Sequence, residues 1–147
     1  MQSSPSYRVF NQTSGEICFS ENDLEALVKS IEANEKCHFN LIEVVFVSED
    51  EILKINRHYL KHDYVTDIIT FPYEENRDSL EGTLYCCYPK ILEQAKAFSI
   101  PVQREAMRIV IHGLLHLAGF NDKTKEEKET MRLKEDFYLE LFFNEVI

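Results

Sequence analysis

The run His112-Gly-Leu-Leu-His116-Leu-Ala-Gly119-Phe-Asn-Asp122 sets two imidazoles four residues apart, then a glycine, then a carboxylate. Residues i and i+4 share one face of a helix, so His112 and His116 can point ring nitrogens at a common centre. Gly119 stands where the helix would end, and a glycine there can adopt the left-handed backbone that turns the chain. The turn can bring Asp122 back toward the histidines. Two imidazoles and one carboxylate suit Zn²⁺, one ion per chain, with a fourth position open to water as in catalytic rather than structural sites.

A histidine pair at this spacing is, taken alone, more often two satisfied core residues than a metal site. Two features reverse that weighting: the helix is central, and the Gly119 turn with Asp122 completes a ligand set within eleven residues. Met107, Ile109, Val110, Ile111, Leu114, Leu115 and Leu117 make the helix apolar nearly all round, so it is central. Imidazoles placed there need partners, because unpaired buried polar groups are costly. Zinc proteases of the H-E-x-x-H type carry their general base directly after the first histidine. Here that position is Gly113, so peptide hydrolysis loses its base and another hydrolytic chemistry is favoured.

The elements that must hold this helix can be read along the chain. Residues 7–10 and 16–19 read as extended, with a turn at 13–15. Ser20 or Asn22 caps a helix carrying Leu24, Leu27, Val28 and Ile31 at helical spacing. Residues 41–47 form an apolar, β-branched run expected to be a strand buried on both faces. Ser48 and Glu51 give a capping-box signature for a helix to about Tyr59. A loop at 61–64 follows, then a strand over 67–71 that stops at Pro72, a loop over 74–79, and a strand over 82–87. Pro89 and Pro101 each open a helix. Thr124 and Glu127 cap the last one, with Met131, Phe137 and Leu141 expected on its buried side. Strands early and helices late indicate an α+β domain: a small mixed β-sheet covered by helices, with a central buried helix carrying the metal-binding histidines.

The 147 residues suffice for one domain, 1–147, with a real core. No apolar run approaches the ~20 residues of a membrane helix. The N-terminus lacks the basic start and apolar centre of a signal peptide, so a cytoplasmic protein with no membrane association is expected. Cys18, Cys37, Cys86 and Cys87 have no C-x-x-C spacing, and reduced thiols rather than a cysteine zinc site follow. The net charge of −10 is unevenly spread. Residues 1–53 hold 3 Lys/Arg against 10 Asp/Glu, residues 54–121 hold 8 of each, and residues 122–147 hold 5 against 8. The acidity therefore lies mostly outside the stretch bearing the motif, and a local basic surface for nucleic acid is compatible with the total.

Three blocks resemble the YbeY family of bacterial metal-dependent endoribonucleases linked to ribosomal RNA maturation. Ile55-Asn56 through Tyr59, then Thr66-Asp-Ile-Ile-Thr-Phe-Pro72, resembles the family's asparagine–tyrosine helix end and its T-D-V-L-S-F-P strand. Gly82-Thr-Leu stands where the family has G-D-I. The histidine run resembles H-G-x-L-H-L-x-G-(Y/F)-D-H, with Met131 downstream in the expected helix. The likeness spans roughly residues 41–140, and the histidine block is its specific part.

The resemblance implies that His112 and His116 take the first two ligand positions and that Asp122 stands in place of the third histidine. Carboxylate oxygen is a competent Zn²⁺ ligand, and the exchange lowers the charge of the site by one. Leu60 replaces the arginine that follows the family tyrosine, and Thr83 replaces the aspartate of G-D-I. Phosphate binding then falls to neighbours such as Arg57 or Lys61. Arg108, one turn before His112, is a third candidate, with a packed stem and a solvated head as the equal alternative.

The implied reaction is cleavage of single-stranded RNA, with the 3′ end of small-subunit ribosomal RNA as target. Zn²⁺ could polarise a phosphoryl oxygen or acidify a bound water, and the residues do not choose between water and the RNA 2′-hydroxyl as nucleophile. Asp67 is a candidate base and equally a residue that fixes a turn or orients a ligand histidine. Ribosomal RNA, and ribosomal proteins facing the acidic first third, are the expected partners. The rival reading is a non-catalytic, metal-containing ribosome- or RNA-binding factor, which the loss of charge at Leu60 and Thr83 favours modestly. A peptide or small-molecule hydrolase ranks behind it.

Overall fold

The computed structural model describes residues 4–144. Its strands are β1 (Ser6–Asn11), β2 (Phe39–Val47), β3 (Ile68–Glu74) and β4 (Leu80–Cys87). Its helices are α1 (Glu21–Glu35), α2 (Glu49–Ile55), α3 (Tyr88–Ala97), α4 (Val102–Leu117) and α5 (Lys125–Phe143), with a π-helical turn Asn56–Leu60 continuing α2. The strands form one mixed sheet in the order β1-β2-β4-β3. β1, β2 and β4 run parallel, and β3 pairs antiparallel with β4 along the other edge. This is the α+β architecture that the order of elements predicts.

The sheet has an apolar layer on each face because its strands alternate side chains. Leu84 and Cys86 of β4 join Phe46, Leu27, Ile31, Ile91 and the apolar side of α4 in the larger core. Cys87 faces the other way, into a smaller core with Val45, Val47, Ile52, Ile55 and Ile69. α1, α3, α4 and α5 thus cover one face, and α2 covers the other. Four free thiols fit the reduced state expected of them; burial pushes the Cys86 thiol far above its ordinary pKa, which makes it inert.

Several boundaries move for identifiable reasons. Residues 16–19 form no strand: Cys18 donates its backbone N–H to the Tyr88 hydroxyl, and Phe19 enters the core as a single anchor. β2 starts at Phe39, and Leu41 and Glu43 are only half-buried, so burial on both faces holds for its C-terminal half alone. β3 does not stop at Pro72 but continues to Glu74 through an irregularity in its register. Proline is tolerated there because β3 is an edge strand, where a missing N–H breaks no ladder bond. In α5, Met131 is buried as expected, but Phe137 and Leu141 are 43% and 41% exposed. The buried stripe is Met131, Glu135, Tyr138 and Leu139, a rotation that puts a carboxylate inside.

α4 lies unusually close to the sheet. A methyl group on Gly113 would come within 2.8 Å of Ile68 Cδ1 and 2.9 Å of Leu84, and one on Gly82 within 2.7 Å of Leu117. Two missing side chains therefore let helix and sheet touch, and the histidine face of α4 is laid beside the β3 edge.

Candidate metal centre and its flanking clefts

Both ends of the segment bearing Asp122 are pinned by the backbone. Gly119 has φ +104°, its N–H donates to the His116 carbonyl, and the Phe120 N–H donates to the Leu115 carbonyl. That pair of bonds is a Schellman ending of α4, which needs the left-handed residue that glycine supplies. Arg77 clamps the same turn by donating to the Ala118 carbonyl at 2.6 Å and to the Glu35 carbonyl. Five residues after Gly119, Thr124 opens α5 with a reciprocal capping box to Glu127. Between these two fixed points Asp122 turns back onto α4.

The result is a convergence of three donor atoms. Asp122 Oδ2 lies 3.2 Å from His112 Nε2 and 3.4 Å from His116 Nε2. The ligand atoms of the three residues all lie within 4.8 Å of one another. The other ring nitrogen of His112 faces Glu135 Oε2 at 2.6 Å. Nδ1–H donates to that carboxylate, so the Nε2 lone pair is left for the centre. Burial acts to lower the His112 pKa, but the Glu135 hydrogen bond and the charges of Glu135, Asp122 and Asp67 outweigh it and raise it. This is a basic imidazole facing a carboxylate across a gap, a donor set of the kind that Zn²⁺ takes.

Behind His112 the chain of contacts continues. Glu135 also accepts from Arg108 Nη1 at 3.1 Å. Arg108 donates through Nε and Nη2 to Glu105, which accepts from Gln94 as well. Glu105 is completely buried and Glu135 nearly so, and both are paired with the one Arg108 guanidinium. Burial alone would lower the Arg108 pKa, but the two carboxylates raise it and keep it charged. Sequence reasoning missed Glu105 and Glu135. The available signal was Glu135 falling four residues after Met131, on the stripe that must be buried.

The other candidates occupy different places. Asp67 lines an open cleft of about 450 Å³ with His112, His116, Asp122 and Leu60. Arg57 sits on the exposed π-helical turn, paired with Asp63, and Lys61 follows that turn with a left-handed backbone and donates to the His58 carbonyl. Neither lines the cleft. Arg108 lines a second cleft on the α5 side. Thr83 is buried, accepts from the Tyr73 hydroxyl and donates to Glu43, on the sheet face turned away from α4. Of the two departures in charge, only Leu60 touches the site.

Residues 9–142 match the family model described as Endoribonuclease YbeY. The chain belongs to the YbeY family. The Endoribonuclease YbeY of Phocaeicola vulgatus is 46% identical over 68% of this chain and 72% of its own length. That of Chlorobium limicola is 38% identical over 90% of each chain. The solution structure of TM1509 from Thermotoga maritima superposes with a TM-score of 0.62 at 31% identity, covering 94% of this chain and 89% of that one. The YbeY likeness therefore begins within β1 and takes in α1, well beyond residues 41–140, and it includes the helix that supplies Glu135. Among the described residues no helix is long and apolar enough to cross a membrane.

Proposed function

We propose that this protein is a zinc-dependent endoribonuclease that cuts single-stranded RNA in maturing the 3′ end of small-subunit ribosomal RNA, as one cytoplasmic domain working among ribosomal proteins. The observation that carries the reading is the convergence of His112 Nε2, His116 Nε2 and Asp122 Oδ2 between two open clefts, in a YbeY-family chain. Zinc, held by these three residues, would supply Lewis-acid stabilisation of phosphoryl charge and a more acidic water. Glu135 fixes the ring of His112, and Arg108 fixes Glu135, which favours a positioning role for Arg108 over the phosphate contact its place in the sequence suggests. Asp67 is the carboxylate of the β3-side cleft not used as a ligand, and we assign it the role of proton acceptor. Arg57 and Lys61 are assigned to phosphates at the outer rim beyond Leu60.

Metal analysis by mass spectrometry of tag-free protein, purified without chelator, tests the centre: about one zinc per chain is expected. Repeated absence of transition metal after zinc is offered would remove the catalytic reading. Cleavage of single-stranded RNA by wild type, lost in His112→Ala, separates the nuclease from a metal-braced binding factor. In Asp67→Asn, turnover should fall with zinc retained.

A further inference from the structure

The two clefts that meet at His112 and Asp122 differ in charge. The β3-side cleft contains no lysine or arginine. The α5-side cleft, about 510 Å³, contains Lys128 and Arg132, one helical turn apart and both exposed. Several cations of the chain are engaged by carboxylates, among them Arg8, Lys29, Lys90 and Lys134. Lys128 and Arg132 make no ion pair or side-chain hydrogen bond among the described residues. Asp136 opposes them in the cleft, whereas Glu135 is already held by Arg108 and His112. The uncommitted charge of this arm is therefore positive, in a chain whose net charge is −10. Phe98, 61% exposed at the end of α3, lines the same cleft.

A positive track beside an exposed aromatic ring is what a single strand of nucleic acid needs, phosphates to the cations and a base to the ring. We propose that the α5-side cleft is the arm of the site that grips RNA, with Lys128 and Arg132 on phosphates next to the scissile one and Phe98 under a base. The strand then crosses the centre toward the β3-side cleft, which holds no cation and takes a base or sugar. This rests on the endoribonuclease reading and adds to it the direction in which the substrate lies.

The test is fluorescence anisotropy of a labelled 2′-O-methyl oligouridine on zinc-loaded protein over a range of salt, with cleavage of plain oligouridine in parallel. Lys128→Ala with Arg132→Ala should weaken binding on the order of tenfold and flatten the salt slope by about 0.7 per lost contact. Phe98→Ala should weaken binding about fivefold or more with the slope unchanged. Lys29→Ala with Lys90→Ala, the same charge change elsewhere, should do neither, and zinc content and melting temperature should match wild type throughout. Unchanged affinity and slope in the Lys128/Arg132 variant of a protein that binds and cuts RNA would overturn the α5 arm and leave the nuclease reading standing. An equal loss in the Lys29/Lys90 control would also overturn it, since overall charge would then explain the effect. Failure of wild type to bind RNA would overturn both.

Discussion

Replacing Glu135 by glutamine keeps the shape beside His112 but removes the charge that its Nδ1–H now meets at 2.6 Å. A partner of this kind behind a ligand histidine typically contributes 10–100-fold to metal affinity. Glu135→Gln is therefore expected to weaken zinc binding by about that factor in a chelator competition, with the helix still folded. Asp122 is a different case. Its Oδ2 is close to both Nε2 atoms, so its value lies in where the loop places it as well as in its charge. Asp122→His should still bind zinc at about one per chain by mass spectrometry, since imidazole and carboxylate are both competent ligands. Complete loss would mean that Asp122 does other work.

α4 and the turn after it do for the site what no single side chain can. Gly113 gives up the position of a general base so that the helix backbone can lie on Ile68 and Leu84. Gly113→Ala must displace the buried side-chain ends of Ile68 and Leu84 or lift the helix from them, and overpacking of this kind costs about 1–3 kcal/mol. The expected readout is a lower melting temperature, with zinc affinity falling as the histidine face shifts from the β3 edge. Thr124 closes the other end of the Asp122 segment by accepting from the Glu127 N–H. Thr124→Ala is expected to cost about 1 kcal/mol in denaturant unfolding and to weaken zinc binding, because one of the loop's two fixed ends is lost. The π-helical turn Asn56–Leu60 is the least regular element. It turns the chain toward β3 and leaves Leu60 at the cleft rim.

Across the whole molecule, zinc would join α4 to the loop that leads into α5, beside the Arg108–Glu135 and His112–Glu135 bonds that already link the two helices. A ligand that binds only the folded state stabilises it by mass action, by about 2.7 kcal/mol at a hundredfold excess over its Kd. The melting temperature should therefore rise with added zinc in wild type and stay flat in His116→Ala, as differential scanning fluorimetry would read. Charge is also distributed at this level. The carboxylates of the acidic N-terminal third lie mostly on α1 and in the first turn of α2, and none of them lines either cleft at the metal centre. A protein of net charge −10 can then offer RNA a positive track through a few cations that no carboxylate has claimed.

The sequence alone determined what depends on neighbours along the chain. The i, i+4 histidines, the glycine that ends their helix and the capping box at Thr124 are local patterns with local causes, and each stands where its pattern put it. Tertiary structure decided what depends on neighbours across space. How far α5 rotates about its axis is set by what it packs against, so Glu135 went inward and Phe137 and Leu141 outward. β3 runs through Pro72 because it is an edge strand. Arg108, read from its spacing as a candidate phosphate contact, is drawn to Glu105 and Glu135, and Glu135 lies 27 positions further along the chain. Long-range pairing of charges in a low-dielectric interior leaves no periodicity in a sequence, and only the packed fold shows which of them meet.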